Sequence, residues 1–259
     1  MSTDALLLSR ATDLLDRARN GEITYTAFLT PAEQHALSRA MPWAKSEMLA
    51  DGGYAAAERA RIIFLPPYLA ELDEQTLGEC LADTREECLI PLQIKGSGFR
   101  ELHHKDYLGA VLNLGIERDA LGDLCVCDKH TAVLFCDRIM AQFLTESLTR
   151  VANDAVRLSR ITLPADFDGG RKFQRIADTV ASPRADGVVA ALANVSRERA
   201  QGMFREKLVE IDYEPAEKPD QALAAGCVIV IRGKGKFILR SLSEQTKKGR
   251  IRMLADKYL

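Results

Sequence analysis

Between residues 182 and 239 two hydrophobic periodicities follow one another in a fixed order, and that order restricts the fold more than any other feature. After Ser182-Pro183 the spacing of Val188, Val189 and Leu192 predicts a short helix over about 186–193. A tight turn follows, then a second helix capped by Ser196, then a strand over 208–212. Residues 225–239 read as a β-hairpin whose turn is Gly233-Lys234-Gly235. Arg197 falls in the first turn of the second helix, where the helix dipole favours acids, so its placement points to a partner anion. Arg232, Lys234 and Lys236 flank a turn opened by glycines, which lets a sugar–phosphate backbone approach closely.

Charge is segregated in the same direction. Residues 1–180 hold 20 Lys+Arg against 27 Asp+Glu, whereas 181–259 hold 15 against 10, and 223–259 hold 9 against 2. A net charge of −2 therefore conceals a basic C-terminal field able to attract phosphate. With 47% hydrophobic and 28% charged residues the chain reads as packed rather than disordered. No apolar run approaches the ~18–20 residues of a membrane span. The start, with Asp4 ahead of only four apolar residues, lacks the form of a signal peptide. The expectation is a cytoplasmic protein with no membrane partner, whose six cysteines are reduced thiols. One Trp and six Tyr argue against an aromatic carbohydrate groove.

Upstream, helices are expected at 3–19 and at 31–40. The second opens on Thr30-Pro31-Ala32-Glu33, a cap, a first-turn proline and an acid at the third position. Strands are expected at 61–65, 87–95, 123–127, 131–136 and 157–163, with helices at 105–114 and 137–152. The resulting fold class is α+β. Its expected domains are a helical region over 1–60, an α/β sandwich over 61–163, a connecting region over 164–181 and a basic module over 182–259.

The basic module resembles the RNA-binding domain of bacterial small-subunit ribosomal protein S-four. The resemblance lies in Arg184 with Asp186, in Ser196-Arg197 and in Arg232-Gly233-Lys234-Gly235-Lys236. Ala185, Lys207, Asp212 and Cys227 stand where that family usually carries Leu, Gly, Asn and Asp. From about residue 28 onward the chain is similar to the YlmH family. The matching segments are Gly52-Gly53-Tyr54, Glu58-Arg59-Ala60-Arg61, His104-Lys105-Asp106-Tyr107-Leu108-Gly109-Ala110, Leu114-Gly115-Ile116 with Arg118, Leu121-Gly122-Asp123, and Thr246-Lys247-Lys248-Gly249-Arg250. His104-Lys105-Asp106 stands where the family usually has His-Arg-Asp. The resemblance implies a central domain like an RNA-recognition motif. It also implies binding to the large ribosomal subunit carrying peptidyl-tRNA, in quality control of stalled translation, and an association with the division gene cluster of Gram-positive bacteria. The expected partners are large-subunit rRNA, tRNA and the ribosome, and not DNA.

The RNA-binding residues expected are Arg184, Ser196, Arg197, Arg232, Lys234, Lys236, Lys247, Lys248 and Arg250, with Asp186 orienting Arg184 and a second contact at His104 and Lys105. Cys125, Cys127, His130 and Cys136 have the chemistry of zinc ligands but not the usual paired spacing, so small core side chains are expected and no metal or other cofactor. Asp106 is expected to cap the helix that follows rather than to orient a histidine base. Glu58, Arg59 and Arg61 read as a surface ion-pair cluster. No Walker loop, dinucleotide fingerprint or nucleophile elbow is present, so no enzyme activity is expected. The competing readings are an RNA-modifying protein, since the same module is fused to pseudouridine synthases, and an interaction factor in cell division working through the acidic N-terminal portion.

Overall fold

A computed structural model describes residues 3–245 and 249–259. Lys247 and Lys248 lie outside the described residues. The chain divides into two compact units, Met1–Gly170 and Arg171–Leu259.

The first unit opens with helix α1 (Thr3–Arg19), strand β1 (Thr24–Tyr25) and α2 (Pro31–Ala40). Thr30 and Glu33 close the expected capping box on α2: Thr30 N–H donates to Glu33 Oε2 at 2.7 Å, and Glu33 N–H donates to Thr30 Oγ1 at 3.3 Å. A 3₁₀ turn over Pro42–Glu47 leads to β2 (Met48–Asp51) and β3 (Arg61–Phe64). These strands form a three-stranded antiparallel sheet in the order β1-β3-β2. Residues 61–64 thus belong to the N-terminal sheet, not to the central sandwich expected to begin at 61. The reason is local, since Ile62 and Phe64 pack with Leu15, Leu37 and Met41 of the N-terminal helices.

Three short helices, α3 (Pro67–Ala70), α4 (Glu74–Cys80) and α5 (Ala82–Cys88), lead into the central sheet. There β4 (Ile90–Gly96), α6 (His104–Leu112), β5 (Leu121–Val126), β6 (Thr131–Cys136), α7 (Arg138–Ser147), β7 (Arg150–Val151) and β8 (Asp154–Arg160) form an antiparallel sheet ordered β5-β6-β4-β8-β7. Leaving aside the two-residue β7, the path is βαββαβ, the connectivity of ferredoxin-like and RNA-recognition-motif folds. Alternation along the strands sends Leu92, Ile94, Leu124 and Leu134 to Tyr107, Val111, Ala141 and Leu144 of the two helices. Helix α7 stops at Ser147, short of the expected 152. Thr149 and Val151 are β-branched, Ala152 turns at φ 50°, and Val151 pairs with Asp154.

In the second unit β9 (Phe173–Val180) precedes α8 (Ala185–Ala193), α9 (Arg197–Arg205), β10 (Val209–Ile211), β11 (Glu214–Pro215), β12 (Val228–Ile231), β13 (Gly235–Gln245) and β14 (Ile251–Tyr258). The sheet order is β11-β10-β12-β13-β14-β9. Much of the stretch expected to be a connection is therefore a strand: β9 pairs with β14 from Phe173 to Val180. Its polar, mostly exposed residues hid it, because an edge strand with little buried surface shows no clear alternation. Val188, Val189 and Leu192 are buried as expected, against Phe204, Ile229, Ile231, Phe237 and Leu239.

Lys207 and Asp212 adopt positive φ, 55° and 50°, so the left-handed turns survive without Gly and Asn. Lys207→Gly is expected to stabilise this unit by about 0.5–1 kcal/mol, relief of strain outweighing the added chain entropy. A rise in melting temperature of about 3 °C would register it; a fall would show that the lysine backbone is unstrained.

Candidate RNA-binding site

Helices α8 and α9 begin side by side around one buried carboxylate. Asp186, fully buried in the first turn of α8, accepts from Arg184 Nε at 3.4 Å and Nη2 at 3.3 Å. It also accepts from Arg197 Nη2 at 3.0 Å and Gln201 Nε2 at 3.0 Å. Arg197 and Gln201 are one helical turn apart on α9, so both can reach the same acceptor. Burial on its own would raise the Asp186 pKa; the hydrogen bonds from Arg184, Gln201 and Arg197 outweigh it and hold the carboxyl at about 2. Asp186 orients Arg184, as expected, and Arg197 as well. The anion that Arg197 called for in the sequence is thus first of all this internal one. Both guanidiniums stay accessible, with side chains 40% and 50% exposed. Asn194, left-handed at φ 52°, ends α8, and Ser196 caps α9 by accepting from Arg199 N–H at 3.1 Å.

Arg197 shares a cleft of about 420 Å³ with Arg250. Its floor is the face of α8 that carries Gly187, Ala190 and Ala191; Asp178, Thr179, Ser182 and Asn194 supply polar atoms. Arg250 is fixed to β9, its Nε donating to Thr179 Oγ1 at 2.8 Å and its Nη2 to Thr179 O at 2.5 Å. The hairpin between β12 and β13 turns through Arg232-Gly233-Lys234, with Lys234 N–H donating to Ile231 O at 2.9 Å and Gly233 at φ 78°. Gly235 already belongs to β13, paired with Ile231. Arg232 and Lys234 are exposed. Lys236 instead lies over the Tyr258 and Tyr213 rings, 4.7 and 5.5 Å from their centroids.

In the first unit His104 and Lys105 occupy the exposed first turn of α6. Asp106 is the third residue of α6 rather than the cap ahead of it: His103 is the cap residue, and its N–H donates to Asp106 Oδ2 at 2.9 Å. The sheet face opposite the helices, where a motif of this fold would stack bases, is filled: Tyr54 stacks on Phe135 at 5.1 Å and Phe167 meets Tyr54 edge-on at 5.2 Å. Cys125 is buried in this layer, Cys136 lies among the residues under the helices, and Cys127 is exposed rather than a core side chain. These positions do not converge, and no cluster of three or more His, Cys, Asp or Glu side chains able to hold a metal occurs among the described residues.

Arg59 and Arg61 are not surface ion pairs. Arg61 is buried, donating to Thr26 O at 2.7 Å and Cys88 O at 3.1 Å. Arg59 is half-buried and donates to Phe28 O and Leu121 O. The expected solvated charges are instead internal donors, and carbonyl acceptors leave no pattern in side-chain spacing that would show it.

Residues 5–69 match the model of the YlmH N-terminal domain and residues 89–165 that of the putative RNA-binding domain in YlmH. The ribosome-associated protein quality control protein P2 of Bacillus subtilis is 30% identical over 236 residues, 90% of this chain and 86% of that protein. The chain belongs to the YlmH family. Its fold can also be superposed on the cell division protein ylmH of Streptococcus pneumoniae, at TM-score 0.46 and 18% identity over 62% of this chain and 93% of that one. Among the described residues of this YlmH-family chain no helix is long and apolar enough to cross a membrane.

Proposed function

We propose that this YlmH-family protein is a non-enzymatic, cytoplasmic RNA-binding factor of the ribosome, acting in quality control of stalled translation. Its partners in this reading are large-subunit rRNA and tRNA or peptidyl-tRNA. The observation that carries the reading is the Asp186 clamp. One buried carboxylate aims two half-exposed guanidiniums from adjacent helix starts, and an Arg fork held in advance grips phosphate with little further ordering cost. The relative named for ribosome-associated quality control supports the setting. Arg232, Lys234 and Lys236 on the hairpin, Arg250 in the cleft, and Lys247 and Lys248 extend the phosphate contacts, with Ser196 holding the start of α9. The mechanism is positioning: neutralised phosphates hold a tRNA in one place on the ribosome.

The test is co-sedimentation of the full chain with purified large subunits through density gradients of rising salt. Neutralising about five phosphates should give a log–log salt slope of order −3 to −5. A slope near zero, or failure to enter the gradient with the subunit at low salt, would overturn the reading.

A further inference from the structure

In the first unit two half-buried guanidiniums share one carbonyl. Arg59 Nε and Arg118 Nη1 both donate to Leu121 O, at 3.0 and 2.8 Å. Arg59 also donates to Phe28 O at 2.7 Å and Arg118 O at 3.2 Å, and Arg118 to Gly122 O at 2.9 Å. Every acceptor is a neutral backbone oxygen. Neither arginine has an ion pair among the described residues, and the donations of Arg118 run through Nη1. Asp123 lies in electrostatic range of both, but its oxygens are engaged by Tyr54 Oη and by the Glu58 and Arg59 N–H groups. Glu33 and Asp119 act on Arg59 at longer range. His104, in the first turn of α6, feels Arg118 and Asp123; burial and then the Arg118 charge lower its pKa, so it offers an anion a ring N–H rather than a full charge. Burial and then the like charge of Arg59 pull Arg118 down to about 10. Like charges gathered at a half-buried position, sharing Asp123 at a distance and with no carboxylate hydrogen-bonded to either guanidinium, are costly unless a further anion completes them.

We propose that Arg59, Arg118 and His104 form a second anion site, in the first unit, that takes a backbone phosphate of RNA. This inference rests on the RNA reading above. Planar guanidinium forks suit phosphate oxygens, and the first turn of α6 adds the positive end of its dipole. With Tyr54, Phe135 and Phe167 filling the base-stacking face, the unit holds RNA by its backbone rather than by its bases. Tyr54, Asp123 and the backbone of residues 58–59 are positioning groups, since they fix the loop that carries Arg59.

The experiment measures binding of the full chain to a labelled structured RNA across a salt series, for the wild type, Arg118→Gln and His104→Ala. Arg118→Gln should lose about five- to tenfold in affinity and make the log–log slope shallower by about 1. His104→Ala, at an exposed position, should lose about two- to threefold without a change in melting temperature. The same factors should recur in an Arg197→Ala background, because the two sites act independently. Unchanged affinity and slope in a folded Arg118→Gln and in His104→Ala, with wild type binding normally, would overturn the second site alone. A wild type that binds no RNA would overturn both readings. Saturable binding of inorganic phosphate that is lost in Arg118→Gln, with RNA binding unaffected, would overturn the RNA assignment.

Discussion

Arg184→Ala and Arg197→Ala, made singly, are each expected to reduce co-sedimentation with the large subunit by about tenfold or more. An Arg–phosphate contact is charge-assisted and often bidentate, and Lys cannot reproduce its fork, so Arg→Lys should rescue poorly. Each single change leaves Asp186 with one arginine and Gln201, so the loss of stability should stay near 1 kcal/mol, screened because both guanidiniums are half exposed. The double variant is different in kind. It leaves a buried carboxylate facing Gln201 alone, a situation that costs about 3–5 kcal/mol, and its binding loss will include unfolding. Lys234→Ala, at an exposed turn, should weaken binding less. The clamp also has an acid signature. A carboxyl at about 2 in the folded chain and near 4 in the unfolded one adds stability that is present above pH 4 and lost as pH falls from 4 towards 2. After allowance for solvent screening that contribution is about 1–2 kcal/mol. Asp186→Asn should flatten this part of the pH–stability curve and weaken ribosome binding although the side chain of residue 186 is fully buried. Single arginine variants that melt normally and still travel with the subunit would place the RNA face on another surface.

The second unit was legible because its signals are local. Ser196 caps α9, Val188, Val189 and Leu192 mark the buried stripe of α8, and Gly233 supplies the positive φ of the hairpin turn. Each depends on neighbours within a few positions, which a sequence displays directly. Strand β9 is hidden because it is an edge strand whose partner, β14, lies some 75 residues on. The partnership of Arg197 with Asp186 was missed for a related reason. The misplaced positive charge was visible, but its partner sits on the preceding helix and meets it only once α8 and α9 pack. In the first unit the family segments around Tyr54, Arg118 and Asp123 are visible as motifs without a role, and Arg59 reads as a surface charge. Their convergence needs Asp123 on β5 to accept from Tyr54 Oη at 2.7 Å and from the Glu58 N–H at 2.8 Å, and periodicity does not report such long-range hydrogen bonds.

Arg61→Ala is expected to be as destabilising as truncating a core aromatic residue, although the sequence suggests an exposed charge. Its side chain is only 6% exposed and sits over the Phe28 and Tyr25 rings, 4.3 and 5.1 Å from their centroids. Nη1 donates to Thr26 O, Nε to Cys88 O, and Nη2 reaches Asp137 Oδ2 at 3.3 Å. The residue therefore joins the loop after β1, the end of α5 and the start of α7. Truncation removes the cation–π contacts, opens a void and strands two carbonyls that have little water within reach. Together these should cost about 3–5 kcal/mol and lower the melting temperature by about 10 °C. Arg61→Lys should recover only part of the loss, since one ammonium cannot reach three acceptors in three directions. Hydrogen exchange locates the effect: amides of β1 and β3 should lose protection, whereas α8 and α9 should keep theirs, because the two units have separate cores. An Arg61→Ala protein that melts within 2 °C of wild type would mean that water replaces all three donors, and that this buried cation does not hold the N-terminal sheet to the central one.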